Sequence, residues 1–347
     1  MADYDVKAAF GAIEDELIQS MIRNFQRHRV EELAAGFDWE MWQSLQLKVL
    51  EKYMARNAKL YPKRFQKIND KLEDLIRKAN QEGYLGQEIK ILEAIRRGVF
   101  LEKPSEDLAN SFFRVNERKL DALIGATTQD MNRAEMAILR MANDQYRKAI
   151  FNAQVYANTG AGTYEQAVDM ATRDMLAAGL NCIQYANGAR HTLKDYASMA
   201  LRTASKRAYL QGEGAKRQEW GISTVIINKR HGACPLCTPF VGQVMIDDVW
   251  SGGKSTDGGY PLLSSAIEAG LFHPNCKDSH TTYFPELEQV DFAKPKEKEL
   301  IEEYKQEQKI AHYQRQKEKY SRLAHYSLAQ ENQEKYKGIA ERWKLPI

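Results

Sequence analysis

Apolar side chains in the N-terminal third of the chain recur at the spacing of an α-helix. The first stripe steps by three or four positions and comprises Val6, Phe10, Ile13, Leu17 and Met21. Such a stripe predicts an amphipathic helix, here one that ends before Gly36. Later stripes follow, with breaks predicted at Pro62, Gly83 and Gly98. Segments of this length are typical of a helical bundle or an array of helical hairpins.

The later stripes are expected to supply core residues, because apolar positions on one helix face usually pack inward. They include Trp42, Tyr53, Phe65, Ile89 and Leu92. Tryptophans outside the core would be the best anchors for a partner protein, since buried aromatic contacts dominate many interfaces. The tryptophans considered for this role are Trp39, Trp42 and Trp343.

A second helical region is predicted after Pro104. The chain has neither Pro nor Gly between Thr128 and Asn158, which allows one long helix there. A capping box at residues 163–166 predicts the start of another helix, which would stop at Gly179. A further helix is expected from about Thr192 to Trp220, with a kink where two glycines flank Glu213.

Basic residues are frequent on that last helix, and two interpretations of them are open. They form either a solvated face or a surface for phosphates or an acidic partner. The residues concerned are Lys194, Arg202, Lys206, Arg207, Lys216 and Arg217.

The period of the pattern changes at Gly221. β-branched residues predict strands at 223–227, 244–246 and 281–284, and Pro261 and Gly270 bracket a short helix.

Residues 294–343 are rich in Glu, Lys, Gln and Tyr, which predicts one or two long exposed helices that need a partner surface for full order. The chain is therefore expected to be mainly α, with a small α+β C-terminal module and a helical tail.

Four regions follow from these changes of pattern. They are an N-terminal helical region at 1–103, a second helical region at 104–220, a Cys/His module at 221–287 and a charged helical tail at 288–347. A module of about 65 residues has a modest core and would benefit from a metal staple.

Composition narrows the class of protein only slightly. Of 347 residues, 43% are hydrophobic and 28% charged, as in a globular helix-rich protein, and no run is apolar enough to predict a membrane span. Lys plus Arg exceeds Asp plus Glu by 50 to 47, which is too even to indicate nucleic acid as the main partner. Since no apolar run predicts a signal peptide, synthesis in a reducing cytoplasm is expected.

Two short cysteine motifs carry the clearest chemical signal. Cys234 and Cys237 form a C-x-x-C pair, and His273 and Cys276 form an H-x-x-C pair after 35 intervening residues. Two such pairs, each on a tight turn, are typical of a tetrahedral structural zinc site, which leaves no open position for a substrate. Asp278 and His280 are further candidate ligands in place of His273. The alternative is that the cysteines are small buried residues without metal.

An enzymatic interpretation is also open. The cysteine pairs could support a zinc-stabilised nuclease in which a second metal ion or a water is held by Asp247, Asp248, Asp278 or His280. The sequence contains no paired-histidine or nucleophile-elbow motif. A cytoplasmic scaffold protein is a third interpretation.

Residues 185–284 contain several unusual short sequence motifs, which follow one another in a fixed order. They are Asp195-Tyr196-Ala197, Leu201-Arg202-Thr203, Gly212-Glu213-Gly214-Ala215-Lys216-Arg217, Glu219-Trp220-Gly221, Cys234-Pro235-Leu236-Cys237, Asp247-Asp248-Val249, Ser251-Gly252-Gly253-Lys254 and Phe272-His273-Pro274-Asn275-Cys276-Lys277-Asp278. In these motifs the chain resembles the phage minor capsid protein 2 family, and its C-terminal module is similar to Mu F-type head morphogenesis proteins.

The resemblance implies a structural protein of a tailed-bacteriophage head, made in the host bacterial cytoplasm and located in the virion. Implied partners are the portal protein and other capsid or scaffold proteins, with packaged DNA and further copies of the chain around the portal as additional contacts. Some family members take part in assembly, and some are ejected with the DNA. The resemblance assigns no catalytic residue, so we expect function by binding.

Overall fold

The computed structural model describes residues 4–35, 39–101, 106–159, 164–185, 187–229, 232–287 and 297–344. Within these ranges the side chains of residues 27–35, 39–40, 106–115, 157 and 164–165 are not described. The helices are α1 (Val6–Ala35), α2 (Trp39–Arg96), α3 (Glu106–Asn158), α4 (Tyr164–Ala178), α5 (Leu193–Glu219), α6 (Leu263–Glu268), α7 (Glu297–Tyr326) and α8 (Gln330–Arg342). The strands are β1 (Ile183–Gln184), β2 (Arg190–His191), β3 (Thr224–Ile227), β4 (Val244–Ile246) and β5 (His280–Thr282). The protein is therefore mainly α, as the sequence predicts.

The chain folds into two compact units, each made of separate segments. Unit 1 comprises Met1–Asn69, Asp130–Ser198 and Lys309–Ile347, and unit 2 comprises Asp70–Gln129 and Met199–Gln308. The division at 1–103, 104–220, 221–287 and 288–347 stays a prediction.

Unit 1 is a helical assembly with an aromatic core. Every member of the α1 stripe predicted from the sequence is buried. The ring of Tyr146 on α3 makes edge-to-face contacts with the rings of Phe25 on α1 and Tyr53 on α2. The ring centroids are 4.9 and 5.3 Å apart. Such pairs add about 0.5–1.5 kcal/mol each beyond the area they bury. The helical period of the sequence thus correctly predicts which face of α1 packs inward.

Unit 2 contains the small sheet, which has the order β4-β3-β5 with both pairs antiparallel. Strands β3 and β4 fall where the sequence predicts them, and β5 lies within one residue of the predicted segment. The short helix α6 lies between Pro261 and Gly270, also as predicted. Tyr304 of α7 packs against the core formed by these elements. This part of the tail thus contacts the module, and the need for a partner surface stays a prediction.

Helix α2 continues through two positions where the sequence predicts breaks. It passes Pro62, which is flanked by the buried rings of Tyr61 and Phe65, and it passes Gly83. A Cβ atom on Gly83 would lie 2.1 Å from the backbone oxygen of Tyr209 on α5. Gly83 therefore permits a close helix–helix approach instead of ending a helix.

Helix α5 also continues, through the predicted kink. A Cβ on Gly212 would lie 2.1 Å from the Asn80 backbone oxygen, and one on Gly214 would lie 2.3 Å from Cβ of Trp250. The two glycines thus open two faces of α5 to close neighbours. The α4 prediction is confirmed for the helix and its stop at Gly179, whereas the capping residue Thr163 lies outside the described residues.

Two apolar expectations need correction. The side chains of Ile89 and Leu92 on α2 are 58% and 45% exposed, because this part of α2 turns Ile91 and Gln87 inward. Trp42 has 1% exposure, which confirms that it is a core residue, so it does not serve as an anchor for a partner. Trp343 packs edge-on against Tyr313 at 5.2 Å, and the side chain of Trp39 lies outside the described residues.

In the part of the chain that the structure describes, no helix has the length and apolar character required to cross a membrane.

Candidate metal centre

The first cysteine pair lies on a tight turn after β3. The backbone N–H of Cys237 and that of Thr238 both donate to the carbonyl of Cys234, at 3.0 and 2.9 Å. This wraps the chain around the Cys234 carbonyl and directs both thiols to one side. Cys237 is fully buried and Cys234 nearly so.

The second pair lies on another turn, between α6 and β5. The Cys276 N–H donates to the His273 carbonyl at 2.9 Å. Phe272 and Asn275 have φ values of 57° and 65°, and a bulky residue such as Phe rarely adopts this left-handed conformation. Two left-handed residues in four positions fold the chain sharply enough to turn His273 and Cys276 towards the first pair.

The two turns meet as the sequence spacing predicts. Sγ of Cys234 lies 3.0 Å from Nε2 of His273, and Sγ of Cys237 lies 3.4 Å from Sγ of Cys276. Ligand atoms of Cys234, Cys237 and His273 lie within 4.8 Å of one another, and so do those of Cys237, Cys276 and Asp278. Cys237 belongs to both groups and therefore links them.

Two contacts between these ligand atoms are close to those of a zinc site, whereas Cys276 lies in a different ligand group from Cys234 and His273. Zinc binds sulfur at about 2.3 Å and nitrogen at about 2.0 Å, so ligand atoms in a tetrahedron lie roughly 3.5–3.8 Å apart. The observed contacts are a few tenths of an ångström shorter, and side-chain rotation can open them. Three sulfurs and one imidazole nitrogen form a donor set that suits zinc.

The paired thiols differ in acidity. A hydrogen bond from the Cys237 thiol lowers the pKa of Cys276 to about 6. The same hydrogen bond, together with burial, raises the pKa of Cys237 far above its ordinary value. One proton is thus shared between two sulfurs. Cys182, half-buried elsewhere, has its pKa raised to about 12 by burial and does not belong to the cluster.

Of the two spare ligands, the structure brings only Asp278 to the cluster. Its carboxylate lies 3.6 Å from Sγ of Cys276, and its backbone N–H donates to that sulfur at 3.3 Å. His280 belongs to neither ligand group among the described residues. Its ring is buried between Trp250 and Phe272, and burial followed by the charge of Arg217 lowers its pKa to about 3.

The carboxylates of the nuclease interpretation have other partners. Asp247 is buried and accepts hydrogen bonds from Arg217 at 2.8 Å and from Ser251 at 2.5 Å. Asp248 accepts from the backbone N–H of Ser264 at 2.9 Å, near the start of α6. Within the described ranges these two groups do not join Asp278 in an oxygen-rich ligand cluster. The positions that would hold a catalytic ion thus stabilise the module.

Sequence reasoning missed a buried ionic network on α5. Arg217 has no exposed surface, and besides Asp247 it contacts Ser251 at 2.9 Å and Glu213 at 3.8 Å. Glu213 is itself buried and pairs with Lys90 of α2 at 2.8 Å. The network joins α2, α5 and the segment after β4. Lys216 and Arg217 are therefore structural cations instead of parts of a solvated or phosphate-binding face.

Side chains from neighbouring elements fix the second cysteine turn. Arg202 donates to the Asn275 side chain at 2.6 Å, and the Asn275 N–H donates to Thr203 at 3.0 Å. Lys277 pairs with Glu307 of α7 at 2.6 Å. The candidate metal ligands are thus positioned by α5 and α7 as well as by their own turns. The sequence hints at this positioning role, since Leu201-Arg202-Thr203 is one of the unusual short motifs.

The elements described so far define a mainly helical protein with a small module in which Cys and His side chains that could hold a metal ion lie close together. A family model for phage minor capsid protein 2 matches residues 4–341, and the chain belongs to that family. This confirms the resemblance and extends it from the C-terminal motifs to nearly the whole chain. Neither the curated proteins nor the solved structures contain a match.

Proposed function

We propose that the protein is a structural component of the phage head that associates with the portal vertex and acts by binding rather than by catalysis. The match to phage minor capsid protein 2 over residues 4–341 is the observation that carries this proposal. The partners are the portal protein and other capsid or scaffold proteins. Packaged DNA and further copies of the chain are secondary contacts. The protein is made in the host cytoplasm and is incorporated into the virion.

The hydrogen bonds made by two acidic side chains support a binding role over a nuclease role. Asp247 holds Arg217 and Asp248 holds the start of α6. A metal-dependent nuclease would need these carboxylates free to bind an ion and a water. Since both are engaged in the fold, Asp247 and Asp248 are poorly placed to hold a catalytic ion.

We further propose that Cys234, Cys237, His273 and Cys276 hold one structural zinc ion. The support is the meeting of two distant turns and the burial of the three thiols. When bound, zinc would supply a cross-link between the segment after β3 and the segment before β5. It would stabilise the module without taking part in a reaction.

Cross-linking mass spectrometry on purified phage heads tests the proposed role. We expect the chain to be present in few copies and to form cross-links with the portal protein. A nuclease assay on the same purified chain, with Mg²⁺ or Mn²⁺ added, should show no cleavage of duplex DNA. Absence of the chain from heads would contradict the structural role, and cleavage lost in an Asp248→Asn variant would favour the enzyme.

A further inference from the structure

A recess in unit 2 lies beside the second cysteine turn and has a volume of about 400 Å³. This is within the range of cavities that bind small molecules or single side chains. Its apolar surface comes from Leu123, Leu210, Val249, Trp250, Ile267 and Phe272. His273, a candidate zinc ligand, also lines it.

Three cations surround this apolar surface, and we name the recess the basic pocket after them. They are Lys119 of α3 and Lys206 and Arg207 of α5. Among the lining residues that the structure describes, none is Asp or Glu. The whole chain is nearly balanced in charge, at 50 basic to 47 acidic residues. A recess lined with three cations and no acid therefore differs from the average surface and selects anions.

The walls of the basic pocket are fixed by contacts within unit 2. On α5 the lining residues 203, 206, 207, 210 and 211 follow one helix face. Gln211 donates to the Asn116 carbonyl of α3 at 2.6 Å, which joins two of the walls. The Lys206 ammonium lies 5.1 Å from the centre of the Phe272 ring, a cation–π contact. A recess with braced walls binds a ligand at a lower entropic cost than a mobile surface does.

We propose that the basic pocket binds an acidic peptide segment of another protein, with an apolar side chain in the recess and flanking carboxylates on Lys119 and Arg207. Both cations are exposed, and neither has an ion-pair partner among the described residues. Carboxylates at this rim would meet opposite charge without displacing an existing pair.

A nucleic acid fits this arrangement less well. Proteins that bind single strands present a groove of cations along the backbone together with successive stacking platforms. Here three cations surround one closed apolar recess, which matches a single apolar side chain between acidic neighbours. The inference goes beyond the proposed structural role, since it names the chemistry of one contact, and it does not require zinc.

Isothermal titration calorimetry on the full chain tests the proposal with the peptide acetyl-Asp-Glu-Phe-Glu-Asp-amide. Two matched peptides replace either Phe by Ala or every acid by its amide, and a thymidine decanucleotide serves as the nucleic-acid probe. We expect only the acidic Phe peptide to bind measurably. Its affinity should fall at raised salt because charges at the rim are screened.

Charge reversal at the rim supplies the matched variants. Lys119→Glu with Arg207→Glu should weaken peptide binding by tenfold or more, whereas Arg118→Glu, an exposed neighbour outside the pocket lining, should change it less than twofold. Thermal unfolding checks that each variant is folded. Failure of the peptide to bind, equal binding by the neutral peptide, or preference for the oligonucleotide would each overturn the proposal. Zinc content measured on the same samples keeps this result separate from the metal proposal.

Discussion

The pKa values of named buried acidic side chains shift in opposite directions in unit 1 and unit 2. In unit 1, burial raises the pKa of Glu14 and that of Glu135 to about 7, and Glu135 is bonded to the neutral amide of Asn69 at 2.9 Å. In unit 2, burial opposes ionisation of Asp247, but the charge of Arg217 at 2.8 Å, together with hydrogen bonds from Ser251 and the Trp250 backbone N–H, holds the pKa of Asp247 below its usual range.

The difference shows how each unit achieves its packing. Unit 1 relies on helix stripes and aromatic pairs, which tolerate a neutral carboxyl group at low cost. Unit 2 packs a small sheet against α5 and uses ionised pairs, glycine contacts and the cysteine cluster. Removing one partner of a buried ion pair is costly because an uncompensated charge remains. Unit 2 should therefore depend on single residues more than unit 1 does.

The largest effect is expected from removing the zinc ligands. Cys234→Ser with Cys276→Ser should lower the stability of the 221–287 module by several kcal/mol, since structural zinc contributes directly to folding. Limited proteolysis should cut this module first and leave the N-terminal helices folded. Cys182→Ser, which lies outside the cluster, is the matched control. Unchanged protease resistance of the double variant would refute a structural metal.

Breaking the ionic network should have the next largest effect. Arg217→Met leaves the buried Asp247 without its cation and leaves Glu213 paired with Lys90 alone, so unit 2 should lose about 3–5 kcal/mol. Hydrogen exchange resolved by segment would show faster exchange in unit 2 and little change in unit 1. Arg118→Met on the exposed face of α3 should have almost no effect. Similar losses from both substitutions would contradict the network.

Substitutions at two glycines should change stability by smaller amounts and in opposite directions. Gly83→Ala places a Cβ against the Tyr209 backbone and should destabilise unit 2 by about 2 kcal/mol, although Ala favours helices. Gly125→Ala on α3 meets nothing within 4 Å and should stabilise by about 0.5–1 kcal/mol. Urea unfolding of both variants measures the difference. Stabilisation by Gly83→Ala would mean that the helices are further apart.

A further effect should appear in the pH dependence of unit 1. Because the pKa of Glu135 is raised from 4.5 to about 7, its contribution to stability is complete below pH 4.5 and is lost as the pH rises through 7. Glu135→Gln keeps the acceptor for Asn69 and should stabilise unit 1 by about 1–3 kcal/mol at pH 8 but not at pH 4. Urea unfolding across this range tests it, with the exposed Glu51→Gln as control. Equal effects at both pH values would contradict a neutral buried Glu135.

Local patterns predicted the elements that depend on local physics. The α1 stripe, the strands β3 and β4 and the helix α6 follow from helical period, β-branching and turn residues. The approach of the two cysteine turns also followed from spacing, because each tight turn can present two ligands to one point.

Contacts between distant segments escaped the sequence patterns. Nothing near Gly83 shows that Tyr209 will approach it, so a helix contact was interpreted as a break. Arg217 likewise meets Asp247 only in the fold, and Lys216 meets Glu88 of α2 there in addition to its helix neighbour Glu219. Exposure of Ile89 depends on which face of α2 packs inward, and tertiary packing decides this.

Metal content tests the central claim about the module most directly. Inductively coupled plasma mass spectrometry would be performed on the full chain purified without chelator, alongside the Cys234→Ser, Cys276→Ser variant. We predict about one zinc per chain, lost in the variant. A chain that is folded and free of zinc, or one that keeps its zinc without these cysteines, would contradict the assignment.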